Sequence, residues 1–260
     1  MAKIIALSPI FERVPARNKK YKEVAVFVHH YGGNRHSFKR HMNWLNELGF
    51  DCVTFDLPLH SLNEIKRRLP IGKDWSIGLR HVWADKIEQV LGSLTEDKFV
   101  FSFSSTSAAA LTAIERRHAI DVKAWICDGG PFADLSLGID NLIRSQGLFK
   151  FKSRLLEYSF IRTPFSKICA LALGLYKYDI DSQKSLLALP KGFPVISVRG
   201  GQDHLVRGDM IDNMFLTAFN HIDLQRVILH SAGHLTGLKD EPENYKYVIG
   251  NFLKLRATPI

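Results

Sequence analysis

Residues 99–111 read FVFSFSSTSAAAL and join two local patterns with no loop between them. Residues 99–103 form a short apolar run typical of a buried strand, and the small residues that follow favour a helix. Such a junction turns sharply at Ser104, strains its backbone, and needs small side chains two positions before and after it. Ser102 meets this requirement, whereas Thr106 is β-branched and harder to accommodate. The alternative interpretation is a helix that Ser104 simply caps at its N-terminus.

Other strand patterns flank this junction along the chain, each rich in Val, Ile or Phe and too short for a helix. They lie at 24–28, 51–55, 99–103 and 195–198, with 123–127 and 225–229 as further candidates. Helical patterns fall between them, at 37–48, 85–94 and 105–117. Strands that alternate with helices predict right-handed βαβ units, and hence a doubly wound, mostly parallel α/β sheet in one domain, residues 1–260.

The alternation stops between Pro131 and Pro190, although the strands on either side of this stretch are expected to be near neighbours. Residues 131–190 are helical in pattern, and a loop of this length is uncommon unless it is functional. The stretch therefore predicts an inserted helical cap rather than a separate domain. Its aromatic residues include Phe149, Phe151, Tyr158, Phe160, Phe165, Tyr176 and Tyr178.

The composition of the chain limits which binding partners and which cellular compartment we expect for the protein. The net charge is +9, but the basic residues are scattered in short clusters, which indicates a solvated surface rather than a nucleic-acid partner. Three cysteines without a CxxC pair predict neither a disulfide framework nor a zinc site, and we expect no metal and no cofactor. The apolar run 168–175 is too short to cross a bilayer, and the N-terminus is a poor signal peptide. The expectation is a cytoplasmic protein without an integral membrane segment.

Two more strand patterns end in residues that can take part in chemistry. Residues 193–206 run from an apolar strand through two glycines to Asp203, and residues 227–234 run from a strand through small residues to His234. Because the carboxyl ends of parallel strands meet at one edge of a sheet, we expect Ser104, Asp203 and His234 to lie together. Taken singly, Asp203 reads as an ordinary turn aspartate, and His234 as a surface histidine, one of 11 in the chain.

In this combination the sequence resembles the α/β-hydrolase superfamily over nearly its whole length, including the chain order serine, aspartate, histidine. Residues 26–34, VFVHHYGGN, resemble the family's oxyanion loop, in which His-Gly precedes an aromatic residue. The other matches are 50–61 with the second matched strand and its turn, 102–106 with the nucleophile elbow, 128–131 with the exit into the cap, 200–206 with the acid loop and 232–234 with the histidine loop.

The resemblance implies acyl transfer by a catalytic triad. Ser104 would be the nucleophile, His234 the base that takes its proton, and Asp203 the acid that orients the imidazole. The backbone N–H groups of Tyr31 and Ser105 would form the oxyanion hole, which stabilises the transition state.

Three positions depart from the family pattern or leave an alternative open. His30 stands where the family has glycine, crowds the oxyanion loop, and is expected to contact the substrate as part of the pocket wall. His29 is expected to be structural, because no carboxylate or cysteine stands at metal-ligand spacing from it. Asp128 follows another predicted strand and is an alternative acid for the triad.

The function implied is a serine hydrolase that cleaves an ester-type bond, in the first instance a carboxylesterase or small lipase. The aromatic residues of the predicted cap favour a small-molecule substrate with an apolar acyl or aromatic part. A thioesterase, an acyltransferase or a C–C bond hydrolase would use the same triad, because a fold does not fix the reaction. A non-catalytic binding protein on this fold is the remaining alternative, which the absence of both elbow glycines favours.

Overall fold

A seven-stranded sheet lies at the centre of the computed structural model, which describes residues 10–58, 79–146, 156, 158–172 and 178–260. The strands are β1 Glu12–Val14, β2 Val24–Val28, β3 Asp51–Thr54, β4 Lys98–Phe103, β5 Val122–Asp128, β6 Pro194–Gly200 and β7 Asp223–Leu229. Their order across the sheet is β1-β3-β2-β4-β5-β6-β7. Strands β2 to β7 are parallel, and β1 pairs antiparallel with β3.

Helices cover both faces of this sheet. They are α1 Lys39–Leu48, α2 Leu79–Gly92, α3 Ser107–Arg116, α4 Leu135–Gln146, α5 Ser159–Ala172, α6 Tyr178–Ala188, α7 Gly208–Phe215, α8 Gly237–Asp240 and α9 Pro242–Lys254. Helices α1 and α9 pack on one face, and α2, α3, α6 and α7 pack on the other. Within the described ranges, none of the helices has the length and apolar character needed to span a bilayer.

Alternation along each strand assigns the side chains to the two faces. In β2, Val24, Val26 and Val28 belong to the core beneath α2 and α3, while Ala25 and Phe27 belong to the core beneath α1 and α9. Both sets are buried, because a parallel sheet in this architecture is covered on both sides. This double burial explains why the sequence shows continuous apolar runs rather than alternating ones.

The predicted fold class, a doubly wound and mostly parallel α/β sheet, is confirmed. All six predicted strands form, with ends within two residues of those predicted, and the helix predicted at 85–94 begins earlier, at Leu79. Strands β5 and β6 pair although residues 131–190 separate them, as expected. Strand β1 was not predicted, because its three partly exposed residues, Glu-Arg-Val, contain no apolar run.

The residues between β5 and β6 are largely helical, as the sequence predicts. Helix α6 packs against α3 and α7, within the layer that covers the sheet. Helices α4 and α5 pack instead against each other, and Arg162 of α5 forms a salt bridge of 2.9 Å with Asp140 of α4. Residues 147–155, 157 and 173–177 of the predicted cap lie outside the described residues.

The aromatic residues of this stretch do not share one environment. Tyr158 and Phe160, at the start of α5, are 56% and 73% exposed. Tyr178 is buried at the start of α6, with its ring 6.2 Å from that of Phe132, and Phe165 is half-buried. The other three aromatic residues of the predicted cap lie outside the described residues: Phe149, Phe151 and Tyr176. The rings that the structure describes therefore form no common apolar wall.

The strand order reverses at β2, which has β3 on one side and β4 on the other. In open α/β sheets, ligand sites form at such a reversal, outside the carboxyl ends of the strands. The residues that follow β2 and β4 are 29–31 and 104–106. The topology thus brings two of the sequence motifs to one point of the sheet edge.

A buried lysine and its counter-ion at the opposite end of β4 give a test of the fold. Lys98 is 1% exposed, and its Nζ donates to the carboxylate of Asp121 at 2.7 Å. Asp121→Asn leaves this ammonium buried without that counter-charge and also breaks the pair of Asp121 with Arg117, so we expect the free energy of unfolding, measured with urea, to fall by about 3 kcal/mol. Asp97→Asn breaks a partly exposed pair with Lys123 and should cost less than about 1 kcal/mol. Equal losses in the two variants would contradict the prediction.

Candidate active site

Ser104 occupies the strained turn between β4 and α3. Its φ is +59°, in the left-handed region that non-glycine residues rarely adopt, and residues Ser104–Thr106 form one turn of 3₁₀ helix. Phe103, directly before it, is extended. The chain therefore reverses within one residue and presents the hydroxyl of Ser104 at the carboxyl edge of the sheet. The turn is a strained junction, as the sequence predicts, and not a simple capped helix end.

The chain after β5 supports this turn from the neighbouring strand. A Cβ built on Gly130 would lie 2.2 Å from the carbonyl oxygen of Ser104. Only a glycine permits this approach, because the contact is with backbone and no side chain can move away from it. The sequence showed Gly130 only as part of the 128–131 motif, and the close contact with Ser104 follows from the pairing of β4 with β5.

The two positions that flank Ser104 are filled by hydroxyl side chains. Ser102 accepts a hydrogen bond from the indole N–H of Trp125 at 2.7 Å and lies 3.0 Å from the Oγ of Ser107. Thr106 is fully buried, and its Oγ1 lies 2.8 Å from the carbonyl oxygens of both His29 and Phe103. The β-branched residue is therefore accommodated, since its hydroxyl ties the turn to the loop after β2.

Ser104, His234 and Asp203 form one hydrogen-bonded chain. The Nε2 of His234 lies 3.0 Å from the Oγ of Ser104, and its Nδ1 lies 2.7 Å from the Oδ2 of Asp203. The other oxygen of Asp203 accepts the backbone N–H groups of Leu205 and Val206, at 2.9 and 2.8 Å. Because a carboxylate only accepts, Nδ1 carries the proton and Nε2 accepts from the serine hydroxyl. The structure thus brings together the three residues that the sequence proposes.

The glycines before Asp203 allow its loop to contact the histidine loop. A Cβ on Gly200 would lie 2.4 Å from the carbonyl oxygen of Ala232. The backbone of the two loops is also hydrogen-bonded, from the N–H of Gln202 to the same carbonyl at 2.9 Å. This contact fixes the acid against the imidazole, and it leaves the side chain of Asp203 fully buried and that of His234 20% exposed.

The loop after β2 is held by His29. Its Nδ1 donates to the carbonyl of His30 at 2.8 Å, and its Nε2 accepts the N–H of Leu57 at 2.9 Å. Because Nε2 accepts an N–H, the ring is neutral and carries its single proton on Nδ1, and burial, which lowers the pKa of His29, favours this form. These contacts agree with the structural role expected of His29. With Thr106, they place the backbone around Tyr31 beside the turn at Ser104.

His30 and Tyr31 lie side by side in this loop. The Nδ1 of His30 donates to the carbonyl of Tyr31 at 2.8 Å, and its ring packs edge-on against Phe38. His30 has no positive φ, which explains why a histidine replaces the family glycine without strain. The ring of Tyr31 is 46% exposed and lies 6.0 Å from that of Trp83. The contact of His30 with substrate, and the N–H groups of Tyr31 and Ser105 as oxyanion donors, stay predictions.

Asp128 is buried next to this site but does not bond to His234. Its Oδ2 accepts the hydroxyl of Tyr245 at 3.0 Å, and burial raises the pKa of Asp128 to about 7. Asp203 therefore occupies the position that the sequence also left open to Asp128. No motif marked Tyr245, which α9 brings to the site from 117 residues further along the chain. Among the described residues, no three histidine, cysteine or acidic side chains form a group that could hold a metal ion.

Comparison with known proteins rests on solved structures, since no protein-family model and no curated protein matches the chain. Esterase Pf2001 of Pyrococcus furiosus is similar with a TM-score of 0.65 and 17% identity, over 92% of this chain and 84% of that one. Esterase EaEST of Exiguobacterium antarcticum is similar with a TM-score of 0.62 and 14% identity, over 94% of this chain and 94% of that one. The meta-cleavage product hydrolase CumD of Pseudomonas fluorescens is similar with a TM-score of 0.59 and 13% identity, over 94% of this chain and 93% of that one. The chain has the α/β-hydrolase fold.

The packing of Gly130 against the turn gives a stability test. Gly130→Ala places a methyl group against the carbonyl of Ser104, so we expect the free energy of unfolding to fall by about 2–3 kcal/mol. Gly250→Ala is the matched control, because its Cβ would meet nothing nearer than 3.8 Å within helix α9. The control should be neutral or slightly stabilising, since alanine favours a helix. Two variants of equal stability in urea would refute the close packing.

The buried carboxyl of Asp128 predicts a pH dependence of stability. Its folded pKa of about 7 lies above the unfolded value, so its contribution is complete below about pH 4 and is lost as the pH rises through 7. Asparagine does not ionise, and Asp128→Asn should therefore gain about 3 kcal/mol relative to the wild type between pH 5 and pH 9. Urea unfolding across this range measures the gain, with Asp97→Asn as the control for charge. A constant difference between variant and wild type would contradict the prediction.

Proposed function

We propose that the protein is a serine hydrolase that cleaves an ester-type bond of a small molecule through an acyl-enzyme on Ser104. The observation that carries this proposal is the hydrogen-bonded chain from Ser104 through His234 to Asp203. A serine hydroxyl is a weak nucleophile, and an adjacent base activates it by taking its proton during attack. The fold and the similar esterases support the proposal as an analogy.

Acylation follows from the positions of the three side chains. The Oγ of Ser104 attacks the carbonyl carbon of the ester while its proton passes to the Nε2 of His234. The carboxylate of Asp203 holds the Nδ1–H, which fixes the tautomer and stabilises the imidazolium that forms. Collapse of the tetrahedral intermediate breaks the ester C–O bond, and His234 returns the proton to the leaving alcohol.

The negative oxygen of the intermediate is assigned to the backbone N–H groups of Tyr31 and Ser105. Support comes from the contact of Thr106 with His29, which places the loop after β2 beside the first turn after β4. Each such donor typically lowers the barrier by about 2.7–4 kcal/mol. Deacylation repeats the same steps with water as nucleophile, so that the acid is released and Ser104 regains its proton.

The substrate side of the site is proposed to take an apolar acyl or aromatic group. Tyr31, 46% exposed beside Trp83, offers an aromatic surface in the oxyanion loop, and His30 next to it is proposed to contact the substrate. Within the cap predicted at 131–190, we assign the covering role to α4 and α5. Helix α4 begins at Leu135, shortly after the glycine that contacts the carbonyl of Ser104. A carboxylesterase or small lipase fits this description best.

The alternative hypothesis of a non-catalytic binding protein has lost its main support. It rested on the two missing elbow glycines, whereas Ser104 adopts φ +59° and Thr106 fits the site through its hydroxyl. The C–C bond hydrolase remains the second candidate, since CumD is a meta-cleavage product hydrolase of the same fold. Product analysis on ester, thioester and C–C substrates, with and without an added alcohol, separates hydrolase, thioesterase, acyltransferase and C–C hydrolase.

The proposal is tested by removing one hydroxyl at a time. Ser104→Ala should lower kcat/KM for p-nitrophenyl esters by at least roughly 10⁴-fold, because the nucleophile is lost. Ser105→Ala is the matched control, since it removes the neighbouring hydroxyl but keeps the backbone N–H, and it should stay within a few-fold of the wild type. A fluorophosphonate probe should label the wild type and Ser105→Ala but not Ser104→Ala. Full activity or labelling in Ser104→Ala would exclude Ser104 as the nucleophile.

A further inference from the structure

A second buried carboxyl group, that of Asp128, lies close enough to His234 for their charges to interact. Asp128 is the last residue of β5, fully buried, with its Oδ2 3.0 Å from the hydroxyl of Tyr245. The chain then passes through Gly129, where a Cβ would lie 3.1 Å from the Cε1 and 3.4 Å from the Nδ1 of His234. The backbone directly after Asp128 thus passes close to the ring of His234. Asp203 occupies the hydrogen-bonding position on the imidazole, whereas Asp128 accepts its hydrogen bond from Tyr245.

The groups that face Asp128 come from three other elements of the fold and from its own strand. They are Tyr245 on α9, His234 after β7, Asp203 after β6, and Cys127 beside it on β5. Burial raises the pKa of Asp128 and the charge of Asp203 adds to this, whereas the Tyr245 hydroxyl and a protonated His234 favour the carboxylate. Ionisation of Asp128 is therefore coupled to protonation of His234.

We propose that Asp128 is a positioning residue that stabilises the protonated imidazole of His234 through its charge and so sets the pH range of the enzyme. The inference rests on the proposed function of Ser104, His234 and Asp203, and it adds a group outside that triad. When the Ser104 proton moves to the Nε2 of His234, the imidazolium stands near two carboxyls instead of one. Only the ionised form of Asp128 lowers the energy of this cation.

Removal of the charge of Asp128 should change the pH profile of kcat/KM in two ways. Asp128→Asn keeps the shape and an acceptor for Tyr245 but removes the charge. The acid limb of kcat/KM, which reports the protonation of the base, should move to lower pH by about one unit. The plateau at higher pH should fall several-fold, because the imidazolium of the transition state loses a stabilising charge. A purely structural role would lower the plateau without moving the limb.

Tyr245→Phe provides an independent variant at the same pair. Without the hydroxyl, Asp128 loses the hydrogen bond that favours its ionised form and keeps its proton to higher pH. The acid limb should then move in the same direction as in Asp128→Asn, with recovery of the wild-type rate once Asp128 ionises. In the Asp128→Asn background, Tyr245→Phe should not move the limb further. Asp97→Asn, a partly exposed carboxyl at the amino end of β4, should leave the profile unchanged.

A measurement without turnover separates this inference from the proposed function. Histidine NMR of Ser104→Ala protein follows the imidazole of His234 directly, and its titration midpoint should fall when Asp128→Asn is added. An unmoved midpoint and acid limb in folded Asp128→Asn would overturn the inference while leaving the serine mechanism intact. If Asp128→Asn does not fold, an unmoved limb in Tyr245→Phe decides against it in the same way. Activity retained in Ser104→Ala would remove the proposed function, and the NMR midpoint would still test the coupling.

Discussion

The left-handed backbone of Ser104 is the constraint on which the rest of the site depends. A non-glycine residue in this conformation costs on the order of 1–3 kcal/mol, and the surrounding structure must hold it there. Three contacts do so: β4 fixes the chain before it, Gly130 packs against its carbonyl, and Thr106 anchors the following turn to His29. The hydroxyl consequently points out of the sheet edge, towards an imidazole that arrives from a different strand.

Close contacts link the loops of the site in two groups. Thr106 ties the turn at Ser104 to the loop after β2, and His29 ties that loop to the chain after β3. The loops after β6 and β7 meet through the backbone at Gly200, which fixes Asp203 against His234. Each of these segments starts at the carboxyl end of a parallel strand. The register of the parallel sheet therefore sets the geometry of the hydrogen-bonded chain.

Charge in the site is arranged around a single imidazole. Asp203 is fully buried and satisfied by two backbone N–H groups, so its carboxylate is held rigidly in one orientation. Asp128 is buried and accepts a hydrogen bond from the hydroxyl of Tyr245, and burial raises its pKa. The two carboxyls thus differ in environment although one ends β5 and the other follows the neighbouring strand β6. The two side chains are chemically identical, so their different surroundings explain why Asp203 orients the imidazole and Asp128 acts on it through its charge.

The sequence by itself determined the six parallel strands, the fold class and the three residues that meet at the sheet edge. These were predictable because buried parallel strands appear as short apolar runs, and because the ends of such strands must converge. Only the tertiary structure decided that Thr106 fits its site, that Asp203 rather than Asp128 bonds to His234, and that Tyr245 reaches Asp128. Each of these depends on atoms brought together from distant parts of the chain, and local patterns carry no information on such contacts.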